Sequence, residues 1–415
     1  MRLLEALLLV LVACTAAAQP AAELPAAVTL DDLLRIVATS PRVAASEREA
    51  DAARADRITA GALPNPSVSL GRSRPSGGDR TLFDANSQQQ ATVELPIPVF
   101  GQREARVRAA ERQVGRAESA IRLTQSDIRR QAALGFARLL TAQEQLEARR
   151  AALAEVERIR TLVSGRMESG MASRYDVARV DVELALAALS AQRAEADVNE
   201  QSTGLAALAA AGNWRPRAVG SLQSLQAGLA VDPGVDTVLT RNPASRVARD
   251  ETAVAEARID VANRERFPVP SISLGRSWTS GPFGAANFIG LSTEVLLLDT
   301  RRGSVDKARA ELAATERRRE AIEAEVGVEL PRLLDALAQR KATLERFERK
   351  VDLRTPALKQ MADDAYRLGR GSVLELIDAA RVRVDARVTN IDLRAFTVQQ
   401  ELRILALTGG LGGQP

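Results

Sequence analysis

Two acidic residues stand close together near the end of the chain, after a short break between two helical patterns. Glu375 and Asp378 follow the segment YRLGRGSV, and their spacing of three residues places both carboxylates on one face of a helix. Carboxylates in pairs can act as general acid and base. Acidic residues also stabilise helix N-termini through the helix dipole, so a purely structural role is the alternative, for Glu375 above all.

Most other catalytic chemistry is excluded by composition. The chain contains no His and a single Cys, Cys14. It therefore cannot form an internal disulfide, a His/Cys metal site or a Ser-His-Asp triad. The phosphate-binding motifs G-x-G-x-x-G and G-x-x-x-x-G-K do not occur. We predict that the protein is not an enzyme and needs no cofactor.

The charge pattern indicates solvated helix faces. The 57 basic and 53 acidic residues nearly balance at a net charge of +4, and they alternate along the chain. A nucleic-acid interface would need basic residues clustered on one face with aromatic residues between them. Only 3% of residues are aromatic, while Ala, Leu and Val dominate between the charged positions. This mixture favours long helices packed through narrow seams, and we expect no nucleic-acid partner.

The N-terminus is typical of an export signal. Arg2 precedes the apolar run LLEALLLVLVAC, and TAAAQP offers a cleavage site, so residues 1–18 form a predicted signal peptide. The segment LVAC is also similar to a lipoprotein lipobox, in which case residues 1–13 are removed and Cys14 is lipidated. Both interpretations take the chain out of the cytoplasm. No later apolar run is long enough for a transmembrane helix.

Segments of the first half of the sequence recur in the second half. The segment PSVSLGRS at residues 66–73 returns as PSISLGRS at residues 270–277, and Gly170, Ser173 and Asp176 correspond to Gly369, Ser372 and Glu375. Several landmarks in the same order indicate an internal duplication. We predict a first repeat over 29–211, a linker over 212–242, a second repeat over 243–408 and a tail over 409–415.

Each half has the pattern of helices around two strands. The last predicted helix carries a near-heptad apolar stripe from Ile377 to Leu405, which predicts a coiled-coil seam, with an ordinary amphipathic helix as the alternative. Pro331 and Pro356 should kink or break the fifth helix. The predicted helices span about residues 29–62, 102–165, 174–211, 244–266, 302–366 and 373–407.

The predicted strands alternate apolar and polar residues. Such alternation suits an antiparallel sheet in water, or a membrane β-barrel with lipid outside and solvent inside. Within hydrocarbon an open sheet edge cannot persist, and four strands are too few to close a barrel. A membrane-spanning form must therefore be assembled from several copies, most simply as a cyclic oligomer. The strands are predicted at about residues 66–74, 89–99, 268–279 and 286–298.

The combination of motifs resembles the TolC family of outer-membrane efflux channels. The resemblance covers nearly the whole mature chain and rests on the duplicated plan and on GALPNPSVSLG, PIPVFGQREARVRAAE and AYRLGRGSVLELIDA. ALPNP and LPIPVFG are most similar to the heavy-metal efflux branch. The resemblance implies a homotrimer whose twelve strands form one outer-membrane β-barrel in contact with lipid. It also implies a long α-barrel of antiparallel coiled-coil helices in the periplasm, and an equatorial belt from the central and C-terminal segments.

The resemblance also assigns partners and positions. A passive channel of this kind receives substrate from an inner-membrane pump of the resistance-nodulation-division type through a periplasmic adaptor. Gly170 with Met171, and Gly369 with Arg370, match the hairpin tips that meet the adaptor, although Gly also ends helices for purely conformational reasons. Glu375 and Asp378 match the acidic residues of the pore constriction. A basic latch of the family falls here on Gly371, with Arg370 adjacent.

Two other functions fit parts of the pattern. A periplasmic adaptor or coiled-coil scaffold also has long hairpins, but generally one per chain. An exit duct for an ATP-driven type I secretion system would share the channel architecture and differ only in its pump. An enzyme that uses paired carboxylates is the most distant alternative.

Overall fold

A computed structural model of the chain shows long helices joined to a four-stranded sheet. The described residues are 24–74, 87–223, 225, 235–279, 284–352 and 354–411. The predicted leader with Cys14 lies outside them, as do residues 412–415 of the predicted tail.

The helices are α1 (Leu30–Ala38), α2 (Pro41–Gly61), α3 (Gln102–Glu168), α4 (Arg174–Leu208), α5 (Val235–Arg241), α6 (Pro243–Arg264), α7 (Arg302–Phe347), α8 (Thr355–Arg367) and α9 (Val373–Leu407). A π-helical segment, Glu348–Asp352, follows α7 directly. At 1.5 Å per residue, α3 is about 100 Å long. It packs against α4, α2, α6 and α9, and α9 in turn packs against α7 and α8.

The prediction of one helix over residues 29–62 was wrong, because the chain breaks between α1 and α2. Ser40 is extended and Pro41 occupies the first turn of α2. Proline disfavours a helical conformation at the residue before it and suits the first turn of a new helix. The fifth predicted helix is also interrupted, by the π-helical segment just before Pro356, whereas α7 continues through Pro331.

The strands are β1 (Ala27–Val28), β2 (Ser67–Ser73), β3 (Gln88–Pro96), β4 (Arg217–Ala218), β5 (Ser271–Thr279) and β6 (Ala285–Ser292). The large sheet has the order β2-β3-β5-β6 and is antiparallel throughout, while β1 and β4 form a separate parallel pair. β3 ends at Pro96 and β6 at Ser292, both earlier than predicted. Pro96 and Pro98 offer no N–H group to a neighbour, and the β5 partner of β6 begins only at Ser271.

The register of the large sheet separates apolar from polar side chains. Val68, Val93, Leu274 and Ile289 lie in one row across the four strands, and the opposite face carries mainly Ser, Thr, Gln and Gly, together with Glu94 and Phe288. The apolar face is the exposed one: Ile289 is 76% exposed. In β5 the polar-face residues are half-buried while the apolar ones are exposed. This arrangement is the inverse of a sheet that packs on a hydrophobic core.

The largest hydrophobic core surrounds the middle of α3, where it meets α1, α9 and the β1–β4 pair. Trp214, in the region predicted as the linker, packs there, and its indole N–H donates a 2.9 Å hydrogen bond to the carbonyl of Pro25. This part of the predicted linker is therefore held against the middle of α3. Within the described residues, no helix combines the length and apolar character needed to cross a membrane.

Candidate functional site

The first helical hairpin is formed by α3 and α4, and the second by α8 and α9. Both hairpins have the same type of turn at their tips. Gly170 and Gly369 adopt left-handed φ angles of +76° and +70°. In each turn a backbone N–H reaches back five residues, from Met171 to the carbonyl of Arg166 and from Arg370 to that of Ala365. These are helix C-caps that glycine adopts without steric cost. The Gly spacing thus dictates where both hairpins reverse.

The helices that leave the turns are capped alike. Ser173 accepts a hydrogen bond from the N–H of Asp176, and Ser372 accepts one from the N–H of Glu375. Each acid reaches back to the backbone of its Ser, which completes a capping box. The structural role foreseen for Asp176 and Glu375 is therefore present.

The tip residues predicted to meet an adaptor are at the surface. Gly170, Gly369 and Arg370 are exposed, and Met171 is 64% exposed. Further large apolar side chains lie exposed beside them, namely Tyr175, Leu368 and Leu374. Apolar side chains gathered at an exposed tip are typical of a protein contact surface.

The two predicted constriction residues share one exposed face of the first turns of α9. Glu375 uses one carboxylate oxygen for its capping box, 3.4 Å from the N–H nitrogen of Ser372. Asp378 lies one turn further along α9. The pKa of Arg381 is raised mainly by its hydrogen bond to Glu183, and the charge of Asp378 contributes to the same rise. Because both residues lie in the first turns of α9, three positions apart, their side chains share one helix face, as the spacing predicts.

A basic residue does bridge the two turns, but it comes from the first hairpin. The guanidinium of Arg166 stacks 4.6 Å above the ring of Tyr366 and donates a hydrogen bond to the Tyr366 carbonyl. Gly371, at the position expected for a basic latch, is closely surrounded: an added Cβ would lie 3.1 Å from a Glu375 oxygen and 3.2 Å from the Cβ of Ala365. A long side chain is disfavoured there on steric grounds.

Tyr366 lies at the centre of the contact between the hairpins. It is 4% exposed and packs with Val163, Val180 and Ile377 from three different helices. Burial raises the pKa of its hydroxyl, and the hydroxyl has no hydrogen-bond partner among the described residues. The Tyr366 ring therefore serves mainly as an apolar and π surface that joins the two turns.

Behind the tips, a cavity of about 780 Å³ separates the hairpins and is crossed by ion pairs. Arg381 on α9 makes a two-pronged hydrogen bond to Glu183 on α4. Glu155 on α3 accepts a hydrogen bond from Lys359 at 2.9 Å, pairs with Arg158, and lies 3.7 Å from Arg383. These contacts tie α3 and α4 to α8 and α9.

The charge environment keeps Glu155 ionised. Burial alone would raise its pKa, but the hydrogen bonds from Arg158 and Lys359 outweigh that effect and lower the pKa below its ordinary value. Glu155 therefore remains a carboxylate across the neutral range and holds the neighbouring cations in place.

Sequence reasoning missed these ion pairs, although one signal was present. Glu183 occupies a seam position between Val180 and Ala187, where an apolar residue is expected. A charge at such a position needs a partner from the facing helix. The contact of Arg166 with Tyr366 was also missed, and it likewise joins the two halves of the chain.

Comparison with known proteins identifies the family. The sequence profile of outer membrane efflux proteins matches residues 34–211 and again residues 234–410. The chain belongs to the outer membrane efflux protein family. The resemblance to the TolC type of channel is thereby confirmed.

Relatives within the outer membrane efflux family include metal-resistance proteins. The chain is 25% identical over 401 residues to the cobalt-zinc-cadmium resistance protein CzcC of Cupriavidus metallidurans, covering 92% of this chain and 90% of CzcC. It is 26% identical over 322 residues to the nickel-cobalt-cadmium resistance protein NccC of Alcaligenes xylosoxydans xylosoxydans, covering 76% and 70% of the two chains.

The fold agrees with that of solved channels. The outer-membrane channel OprN superposes with a TM-score of 0.76 at 20% identity, over 92% of this chain and 90% of OprN. The family members and structural neighbours are channels, which fits the prediction that the protein is not an enzyme. Within the described residues, no group of three or more His, Cys, Asp or Glu side chains is placed to hold a metal ion.

Proposed function

We propose that the protein is the outer-membrane exit duct of a tripartite efflux system, assembled as a homotrimer and passing its substrate passively. The observation that carries this proposal is the inverted sheet, whose apolar face is exposed although the polar face of the central strand β5 is half-buried. A lipid environment is the solvent in which such a face is favourable.

The two edges of the sheet support assembly with further copies of the chain. Within the described residues β2 and β6 each pair on one side only, so both edges offer free N–H and C=O groups. In hydrocarbon every such group needs a partner, which closure with neighbouring copies supplies. One copy gives too few strands, and three copies, the number that the resemblance to TolC-type channels implies, give a barrel of twelve strands within the range of known outer-membrane barrels.

The helices extend this barrel towards a partner in the periplasm. α3, at about 100 Å, carries the exposed tips around Met171 and Arg370 far from the sheet. We propose that these tips dock on a periplasmic adaptor, which couples the duct to an inner-membrane pump of the resistance-nodulation-division type. The metal-resistance relatives favour heavy-metal cations as the substrate class.

The entrance is proposed to lie at the second hairpin. Three copies would bring six carboxylates, from Glu375 and Asp378, towards the common axis. A ring of carboxylates attracts cations and repels anions. The ion pairs between the hairpins hold this entrance in its closed arrangement until the adaptor docks.

The assembly is tested by fractionation and sedimentation of the full-length protein. We expect it in the outer-membrane fraction, and we expect the detergent-extracted species to have three times the mass of one chain. A monomer in the soluble periplasmic fraction would contradict the proposal and favour an adaptor or scaffold.

A further inference from the structure

The large sheet carries its charged residues in an uneven pattern. Within the described strands they are Arg72, Arg276 and Glu94. The register places both Arg residues on the apolar face and Glu94 on the opposite face, where it accepts a 3.0 Å hydrogen bond from Ser292. The exposed apolar face is therefore cationic, without an acidic partner in the described strands.

Both Arg residues lie in the half of the sheet that is remote from the helices, and Arg72 is the last residue but one of β2. Arg72 stands opposite Gln89, and Gln89 stands opposite Trp278, so the row next to the last described one reads Arg, Gln, Trp across three strands. Arg276 lies two residues before Trp278 on β5, on the same face, with its guanidinium 5.7 Å from the centre of the Trp278 ring. Aromatic side chains with basic neighbours are typical of the level where a membrane protein meets lipid headgroups.

The other end of the sheet has its own aromatic pair. Phe100 and Phe267 stack with ring centres 5.4 Å apart where the strands meet the helices. Between Phe267 and Trp278 an extended chain covers about 36 Å, or about 28 Å along the membrane normal at a tilt of about 40°. This height matches a hydrocarbon core of about 30 Å.

From this pattern we infer a lipid-phosphate collar, formed by Arg72, Arg276 and Trp278. The collar binds the phosphate groups of the anionic glycolipid in the outer leaflet. The inference rests on the proposed function, because the helices in the periplasm place the remote end of the sheet at the outer surface. Each guanidinium can hold a phosphate through paired N–H donors while its alkyl stem lies against the acyl chains.

The position of the collar favours lipid over a soluble anion. Arg276 is flanked on its own strand by Leu274 and Trp278, which are exposed on the same face. A free phosphate would gain nothing from those apolar neighbours, whereas a lipid occupies both the cationic and the apolar surface at once.

Native mass spectrometry of the detergent-purified full-length protein tests the collar. The probe is bisphosphorylated lipid A, compared with the same lipid lacking both phosphates. We expect the wild type to retain the phosphorylated lipid at least fivefold more strongly than Arg72→Gln/Arg276→Gln. We expect no difference for the dephosphorylated lipid, and no displacement by an equal excess of inorganic phosphate.

Control variants separate charge from folding. Arg72→Lys/Arg276→Lys should retain most of the binding, and Arg302→Gln, at the helical end of the sheet, should bind like the wild type. Equal retention by the wild type and Arg72→Gln/Arg276→Gln would overturn the inference, as would an equal loss in Arg302→Gln.

Insertion into planar bilayers is measured in parallel. If the wild type inserts but lipid retention is unchanged in Arg72→Gln/Arg276→Gln, the collar is contradicted and the proposed channel function is not. If the wild type never inserts, the proposed function fails and the collar fails with it.

Discussion

Glu183 shows how single residues join the two hairpins. It is 8% exposed in an otherwise apolar seam, and Arg381 from the other hairpin neutralises it. A buried charge that loses its partner pays for desolvation without compensation. The pair therefore favours the one arrangement of α4 and α9 in which both groups are satisfied.

Glu183→Gln should destabilise the protein by about 1 to 2 kcal/mol, less than a fully buried pair because Arg381 is 46% exposed. Denaturant unfolding in detergent measures the change. Glu195→Gln is the matched control, because its pair with Arg150 is exposed on both sides and should contribute at most about 0.5 kcal/mol. Equal effects of the two substitutions would contradict this account.

Glu155 makes the contact between the hairpins sensitive to acid. Its pKa is lower in the folded protein than the ordinary value of about 4.3 expected in the unfolded chain. Its stabilising contribution is complete above that ordinary value and is lost as the pH falls through the lower, folded pKa.

We therefore expect the thermal midpoint of the wild type to fall more steeply below about pH 4 than that of Glu155→Gln. The comparison uses melting curves from neutral pH down to about pH 3. Glu157→Gln, an exposed carboxylate on the same helix, should leave the wild-type slope unchanged. The account is wrong if Glu155→Gln and the wild type show the same slope.

At the scale of elements, the repeated segment SLGRS forms two strands with different surroundings. A Cβ on Gly275 would lie 2.2 Å from the Phe288 ring and 2.8 Å from the Ala91 carbonyl oxygen, whereas one on Gly71 would meet nothing within 4 Å. Phe288 lies over the bare backbone of β5 and covers the space that the glycine leaves. The two glycines should therefore differ in their tolerance of substitution.

Gly275→Ala should cost about 1 to 3 kcal/mol and reduce the folded yield, because the Ala91 backbone cannot move aside without disturbing the β3–β5 pairing. Gly71→Ala is the internal control and should be close to neutral. The folded fraction is read from the mobility of unheated samples in detergent gels. A Gly71→Ala variant as defective as Gly275→Ala would refute the steric explanation.

The sequence predicted the helices and strands more accurately than it predicted where they begin and end or which residues they contact. Periodicity and Gly-Ser-acid spacing were enough for both hairpin turns and for the placement of Glu375 beside Asp378, since these depend on neighbours within a few residues. The break before Pro41 depends on local backbone conformation. The early end of β6 and the contrast between Gly71 and Gly275 depend on neighbouring strands. Arg166 on Tyr366 joins residues from different halves, which no local pattern reports.

At the scale of the molecule, the sheet and the helices have different roles. The sheet presents an exposed apolar face, and the helices carry the exposed tips about 100 Å along α3. In the proposed assembly, such a chain supplies a passage and a contact surface, while an inner-membrane pump supplies the energy for transport. The central claim is that this passage is cation-selective at the second hairpin.

The reversal potential across a planar bilayer in a salt gradient tests that claim most directly. We predict cation selectivity for the wild type and its loss in Glu375→Gln/Asp378→Asn. Asp176→Asn removes the equivalent capping acid of the first hairpin and should leave selectivity unchanged, which separates capping from the charge at the entrance. Unaltered cation selectivity in Glu375→Gln/Asp378→Asn would contradict the account.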